Sequence, residues 1–329
     1  MKGFNVKKQL RAIALLPLIS VGASAQAATL SVNCGGKSGL TSINAALKAL
    51  QHSEDSRGPN TINVSGACHE NVLIQNLDRL TLNAGNGASI TDASYGTREV
   101  IDVDNSHGFT LQGFTVTSTC PSGCTGPDAI SCYNGADCVL IQNTVGGAGP
   151  DGSGVGVYAL SRVRVVGGIV QTNGTGLFAT DSGEMEVLGV SVQSNGLGVV
   201  LLRGASLLVR ASADHVTPSV ISNNQNQGIY ATDGSTITVS GPSNVSNNLA
   251  DGIQLDLGAR LVLALGPGEV VVSGNGGSGV ELGDLAIARF TSSAHVTGNR
   301  PPDVACNAPT AITRFARTNI GGGTTSCAN

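Results

Sequence analysis

Four apolar offsets that recur along the chain constrain its fold more than any other feature. With Leu177 taken as zero, apolar residues fall at zero, +2, +8 and +10: Leu177, Ala179, Met185 and Val187. The same offsets give Val72, Ile74, Leu80 and Leu82, then Ile101, Val103, Phe109 and Leu111, then Ile130, Cys132, Cys138 and Leu140. They return from Val155, Val199, Ile229, Ile253 and Val280, at intervals of 22 to 30 residues. A spacing of two is strand alternation, and a turn must separate the two pairs. Self-similarity at this period marks a solenoid in which each repeat is one coil stacked on the last.

The rest of the repeat agrees. Glycine precedes zero at Gly154, Gly176, Gly198, Gly228, Gly252 and Gly279, where the backbone needs either a positive φ or tight contact with the next coil. Asn173, Asn195, Asn224, Asn248 and Asn275 stand just upstream, and asparagine tolerates the left-handed conformation. A third apolar patch, as in Phe114 and Val116 or Val190 and Val192, predicts three short strands per coil. Leucine-rich repeats need a leucine framework that is missing, and propeller blades need about 40 residues and usually aromatics. Upstream, Leu40 to Gln51 sets Ile43, Leu47 and Leu50 on one helical face, with Thr41 or Ser42 available as cap. Open coil ends need lids, and this helix is expected to be one.

The columns, the helix and the stretch TINVSGACHENVLI at Thr61 to Ile74 resemble the right-handed parallel β-helix proteins of the pectin-lyase-like superfamily. The expected fold is therefore an all-β, single-stranded right-handed parallel β-helix of about nine coils with a short N-terminal capping helix. Nine coils about 4.8 Å apart would make a rod on the order of 40 Å long. Expected boundaries are residues 1–27 for a signal peptide, 28–71 for the cap, 72–300 for the β-helix and 301–329 for a disulfide-tied tail.

The leader rests on Lys2, Lys7, Lys8 and Arg11, the apolar run from Ala12 to Val21 and the closing Ala25-Gln26-Ala27. That run is shorter than the roughly 20 residues that span a bilayer. Cleavage after Ala27 removes four positive charges, so the net charge of −4 becomes −8 over the remaining 302 of 329 residues. An acidic surface argues against nucleic acid or membrane as partner, and against an unassisted grip on polyanions. An exported chain meets an oxidising compartment, periplasmic or extracellular, so its eight cysteines should form disulfides. Proximity pairs Cys34 with Cys68, Cys120 with Cys124, Cys132 with Cys138, and Cys306 with Cys327. Zinc is the alternative for the middle four, but their gaps of three, seven and five residues match no two-residue knuckle.

The resemblance implies a carbohydrate partner, commonly an acidic polysaccharide, handled by lyases, hydrolases, epimerases or binders. Fold does not choose among these, so outward positions must. Glu99 and Asp128 stand at −2, Asp102 at +1, and Asp104, Tyr133 and Tyr158 at +3, with His107, Arg162 and Arg164 in or beside the turn. Asp102, Asp104, Asp128 and Arg162 are the candidate catalytic residues. Tyr133, Tyr158, Glu99 and His107 are the candidates for holding a sugar chain, and Asp102, Asp104 and Asp128 are candidate calcium ligands through oxygen. The stretch PDAISCYNGADCVLIQN resembles a polygalacturonase segment, but Pro127 replaces the first acid of its pair and Pro150-Asp151-Gly152 stands where Gly-His-Gly would follow. A lyase would need calcium or arginine against the substrate carboxylate and a base such as Arg162 or Arg203. Epimerase relatives carry Asp-Pro-His, and here Pro-Asp occurs in reverse order without histidine. The expected function is interaction with an extracellular or envelope polysaccharide, enzymatic or not. A groove where the long coils at residues 111–130 and 209–229 bulge would favour an enzyme; a smooth ladder would favour a structural or adhesive rod.

Overall fold

The computed structural model describes residues 27–51, 58–120, 126–212, 217–263, 267–307, 312–314 and 320–327. The expected leader (apart from Ala27), Cys124 and His215 lie outside the described residues. Three parallel sheets run the length of the solenoid, one of twelve strands and two of ten among the described residues. The zero positions lie in register from coil to coil, as Val72 on Ile101, Ile101 on Ile130, Ile130 on Val155 and Val155 on Leu177. All thirty-six residues at the four offsets of the nine coils are buried, none more than 5% exposed. Each fully buried aliphatic side chain contributes roughly 1.5–3 kcal/mol, so the columns carry most of the fold's stability. The third patch forms its own strands, such as Thr115–Thr117 and Ser191–Gln193. The expected fold class is thus the observed one.

Glycine and asparagine act together at one corner. None of the six glycines before zero has a positive φ, so tight stacking is the operative reason for them. A Cβ on Gly176 would stand 2.6 Å from the Gly198 carbonyl and 2.8 Å from the Asn195 amide. That amide belongs to a buried ladder. Asn173 donates to Asn195 Oδ1 at 3.0 Å, and the series continues through Asn224, Asn248, Asn275 and Asn299 to Asp303 at 2.8–3.2 Å. The left-handed residue is the one before each asparagine: Thr172, Ser194, Asn223, Asn247 and Gly274. Asparagine is therefore present for its two-sided amide, which pairs along the rod where a buried polar group would otherwise be unsatisfied.

The ends are closed as stacking requires. The helix Ile43–Gln51 buries Ile43, Ala46, Leu47 and Leu50 over the first coils. Ser42 Oγ accepts from Ala45 N at 3.1 Å, and the Glu70 carboxylate accepts from Ile43 N at 2.7 Å and Asn44 N at 3.1 Å, a charge suited to a helix N-terminus. At the far end the tail covers the strand Val304–Cys306: Val304 N donates to Thr324 O at 2.9 Å and Ser326 N to Val304 O at 3.0 Å. The Cys306–Cys327 disulfide holds it there, and Cys34–Cys68 and Cys132–Cys138 are also bonded. The fourth expected pair involves Cys124, outside the described residues.

Candidate functional site

Asp102, Asp104 and Tyr133 lie on the ten-stranded sheet that begins at Val72–Gln75, and Glu99, Asp128 and Tyr158 flank its strands. Register stacks Asp102, Ser131, Gly156 and Phe178 in one outward column, and Gln75, Asp104 and Tyr133 in the next. Coils repeat at about 4.8 Å, close to the preferred separation of stacked rings, so aromatics on successive coils meet. Tyr133 and Tyr158 lie 4.5 Å apart and 7° from parallel, and Phe178 extends the series at 5.6 Å, tilted by 45°. Gly156 makes this possible: a Cβ there would collide with Asp128 Oδ2 and stand 2.6 Å from Tyr158 Cε2.

The acids divide into two kinds. Asp128 is buried and accepts from Tyr158 Oη at 2.6 Å, Ser131 Oγ at 3.1 Å and Ser153 N at 2.7 Å. Burial raises its pKa, and these hydrogen bonds, led by that of Tyr158, pull it back. Asp104 accepts from Asn134 Nδ2 at 2.6 Å and Gln75 Nε2 at 2.8 Å. Asp102 differs: its Oδ1 is shielded from solvent with no hydrogen-bond partner. Burial, then the charges of Glu99 and Asp104, push its carboxyl up to about 6, against the opposing pull of Arg98. Burial and the charge of Asp128 raise Tyr133 to about 12 and lift Tyr158 further, so both phenols stay protonated.

Other candidates stand apart. Arg162 belongs to the twelve-stranded sheet, where its Nη2 pairs with Glu184 Oε2 at 2.5 Å. Arg164 and Arg210 share Glu186, and Arg203 pairs with Asp181 at 2.7 Å. His107 Nδ1 lies 3.4 Å from Asp78 Oδ1 at an exposed turn. The calcium set does not assemble: among the described residues Asp102, Asp104 and Asp128 form no group with oxygens mutually within 4.8 Å. Both oxygens of Asp104 and of Asp128 accept hydrogen bonds from protein donors.

A groove of about 600 Å³ borders this face. Cys120 and Pro150 line one end and Gln225 and Asn226 the other, so it joins the two long coils whose bulging the sequence suggested. Phe178 and Gly156, which residue type alone does not single out, occupy the same +1 column as Asp102, and that shared offset is the signal they carry in the sequence.

Residues 99–275 match the family model described as a right-handed beta helix region. No curated protein sequence matches the chain. Among solved structures, the A-module of the mannuronan C-5 epimerase AlgE6 from Azotobacter vinelandii is similar with a TM-score of 0.43 at 12% identity, over 87% of this chain and 95% of that one. The AlgE4 A-module of the same organism gives 0.39 at 11%, over 91% and 100%. A pectin methylesterase from Aspergillus niger gives 0.37 at 14%, over 89% and 93%.

Proposed function

This chain belongs to the right-handed β-helix family, and from that premise we propose a secreted protein whose acid and tyrosine face takes a polysaccharide, with Asp102 exchanging a proton with the bound chain. The observation that carries the reading is the unpartnered Asp102 carboxylate oxygen on the same sheet as the Tyr133, Tyr158 and Phe178 ring series. The rings supply an apolar ridge for the C–H groups of a sugar, and the partly buried Asp102 supplies an acceptor for a hydroxyl through its oxygen other than the shielded Oδ1. A carboxyl held at about 6 is present in both forms near neutral pH, which suits a general acid or base. Glu99 acts on Asp102 through its charge, and Asp128 is a positioning residue that fixes the Tyr158 ring through its hydroxyl.

The disulfides agree with export, since such bonds persist in oxidising compartments. One observation favours a binding rod without catalysis. Arg162 and Arg203, the candidate lyase bases, are paired with Glu184 and Asp181. One experiment separates the readings: the folded protein is incubated with a panel of polysaccharides, and retention and new reducing ends are both measured. New ends that vanish in Asp102→Asn support an enzyme, and retention without new ends supports the rod. Neither signal across the panel would remove the polysaccharide reading.

A further inference from the structure

The resemblance implied an acidic glycan, but the charges of this face point elsewhere. No strand residue of the site-bearing sheet is lysine or arginine, from Val72–Gln75 to Val304–Cys306. Acids stand at both ends: Glu99, Asp102 and Asp104 at one, Asp251 and Glu281 at the other, where burial raises both carboxyls and Asp251 also acts on Glu281. Arg98 is the cation that opposes Asp102, and three carboxylates outnumber it. Arg162, Arg164, Arg203 and Arg210, in the turns and on the adjoining sheet, are committed to Glu184, Asp181 and Glu186. A polyuronate laid along this face would meet like charge at both ends with little to neutralise it.

The groove is built for something else. Among the described residues it is lined by amides, hydroxyls, apolar groups and bare backbone, without a charged side chain. Thr175 and Leu197 in its wall begin the strands Thr175–Ala179 and Leu197–Leu201, the first of which carries Phe178, so the groove lies at the start of the strand that ends the ring series. Its floor is backbone: a Cβ on Gly174 would collide with the Gly149 and Pro150 carbonyls. Gln225 and Asn226 are exposed, and among the described residues neither side-chain amide is hydrogen-bonded to the protein. Free amides on an uncharged wall offer both donors and acceptors, the complement of sugar hydroxyls.

We infer that the glycan taken by this face is uncharged, its hydroxyls engaged by Gln225 and Asn226 and its apolar edge by Leu197 and Phe178. This rests on the polysaccharide reading above. The test is affinity electrophoresis of the full chain against neutral glucan, mannan and galactan, polygalacturonate, and chitosan, at low and high salt. Retention by a neutral chain is expected, unchanged by salt and weakened about tenfold in the Gln225→Ala/Asn226→Ala double variant. Polygalacturonate or chitosan retained as strongly at low salt would overturn the uncharged assignment while leaving a polysaccharide site. Neutral retention indifferent to the double variant would overturn the groove's part in it. No retention by any polymer, with circular dichroism showing a folded chain, would overturn the polysaccharide reading itself.

Discussion

The asparagine corner and the acid and tyrosine face belong to one solenoid, yet they follow opposite rules. At the corner, coils from Asn173 to Asn299 repeat one device, a buried amide bonded to the next and a glycine that makes room for it. On the face no coil repeats its neighbour: the +1 column reads Asp102, Ser131, Gly156, Phe178, Val200 and Tyr230. Inward and corner positions must satisfy the coils above and below, so stacking enforces repetition there. Outward positions answer to their immediate neighbours on the face, to solvent or to a ligand, and none of these imposes the repeat. An acceptor left unbonded costs free energy, and Asp102 Oδ1 is such an acceptor on the non-repeating side. Departure from the repeat is thus where function is to be sought.

The largest expected effect breaks the repeating side. In Gly198→Ala the new methyl would collide with the Gly228 carbonyl and stand 2.8 Å from the Asn224 amide and 2.9 Å from Ile221 Cγ2. Overpacking against backbone costs about 3 kcal/mol or more, because no side chain can yield to it. Urea unfolding should register that loss as a lower midpoint. A cost below about 1 kcal/mol would mean that coil spacing relaxes freely and that the glycine column is not a packing requirement.

Tyr158→Phe strikes where the two sides touch. It keeps the ring contacts with Tyr133 and Phe178 but deletes the hydroxyl that donates to Asp128 at 2.6 Å. Hydrogen bonds to charged groups contribute about 1.5–3 kcal/mol, so a loss of about 2 kcal/mol is expected at neutral pH. The loss should shrink as acid protonates Asp128. A flat response between neutral pH and pH 4 would show that Asp128 takes no charge-assisted bond from the phenol.

How much could be read from the sequence follows the same division. The inward columns were legible because burial recurs at fixed offsets, from Val72 to Phe290. The glycine column was visible, but its cause needed coordinates, since sequence allowed either a positive φ or a close approach. The left-handed position lies one residue before the asparagine: Ser194 adopts that conformation, and Asn195 turns inward to bond. On the face, Asp102, Asp104 and Asp128 were found by type, yet nothing in their spacing distinguished the tied Asp104 from the partly orphaned Asp102. Side-chain partners across coils depend on loop lengths, and those vary by eight residues between coils of 22 and 30.

Asp102→Asn should move stability the other way. The folded chain holds this carboxyl at about 6 against an ordinary 3.8, so between those values it binds more protons than the unfolded chain. Stability from this group is therefore highest in acid and falls as pH rises through 4 to 6. Removing the charge should stabilise the protein above pH 6 by on the order of 1 kcal/mol, discounted for the side chain's partial exposure. Below pH 4 the variant and the parent should converge. Melting temperatures across that range check the sign, and a variant less stable than its parent at pH 7.5 would mean that Asp102 makes a favourable charged contact.

The smallest effect sharpens the boundary of the face. Arg162 and Glu184 form an ion pair on the twelve-stranded sheet with both side chains more than half exposed, 65% and 53%. Exposed pairs of this kind contribute about 0.2–1 kcal/mol, so Arg162→Ala should cost no more than about 0.5 kcal/mol. Because its ion pair and hydrogen bond both go to Glu184, polysaccharide retention should stay at the parental level. A collapse of retention or of reducing-end release with folding intact would extend the functional surface around the turn at Leu160 onto the second sheet. The contrast would then no longer lie between a repeating corner and one non-repeating face, since the arginine and glutamate pairs of the twelve-stranded sheet would have to be counted with the site.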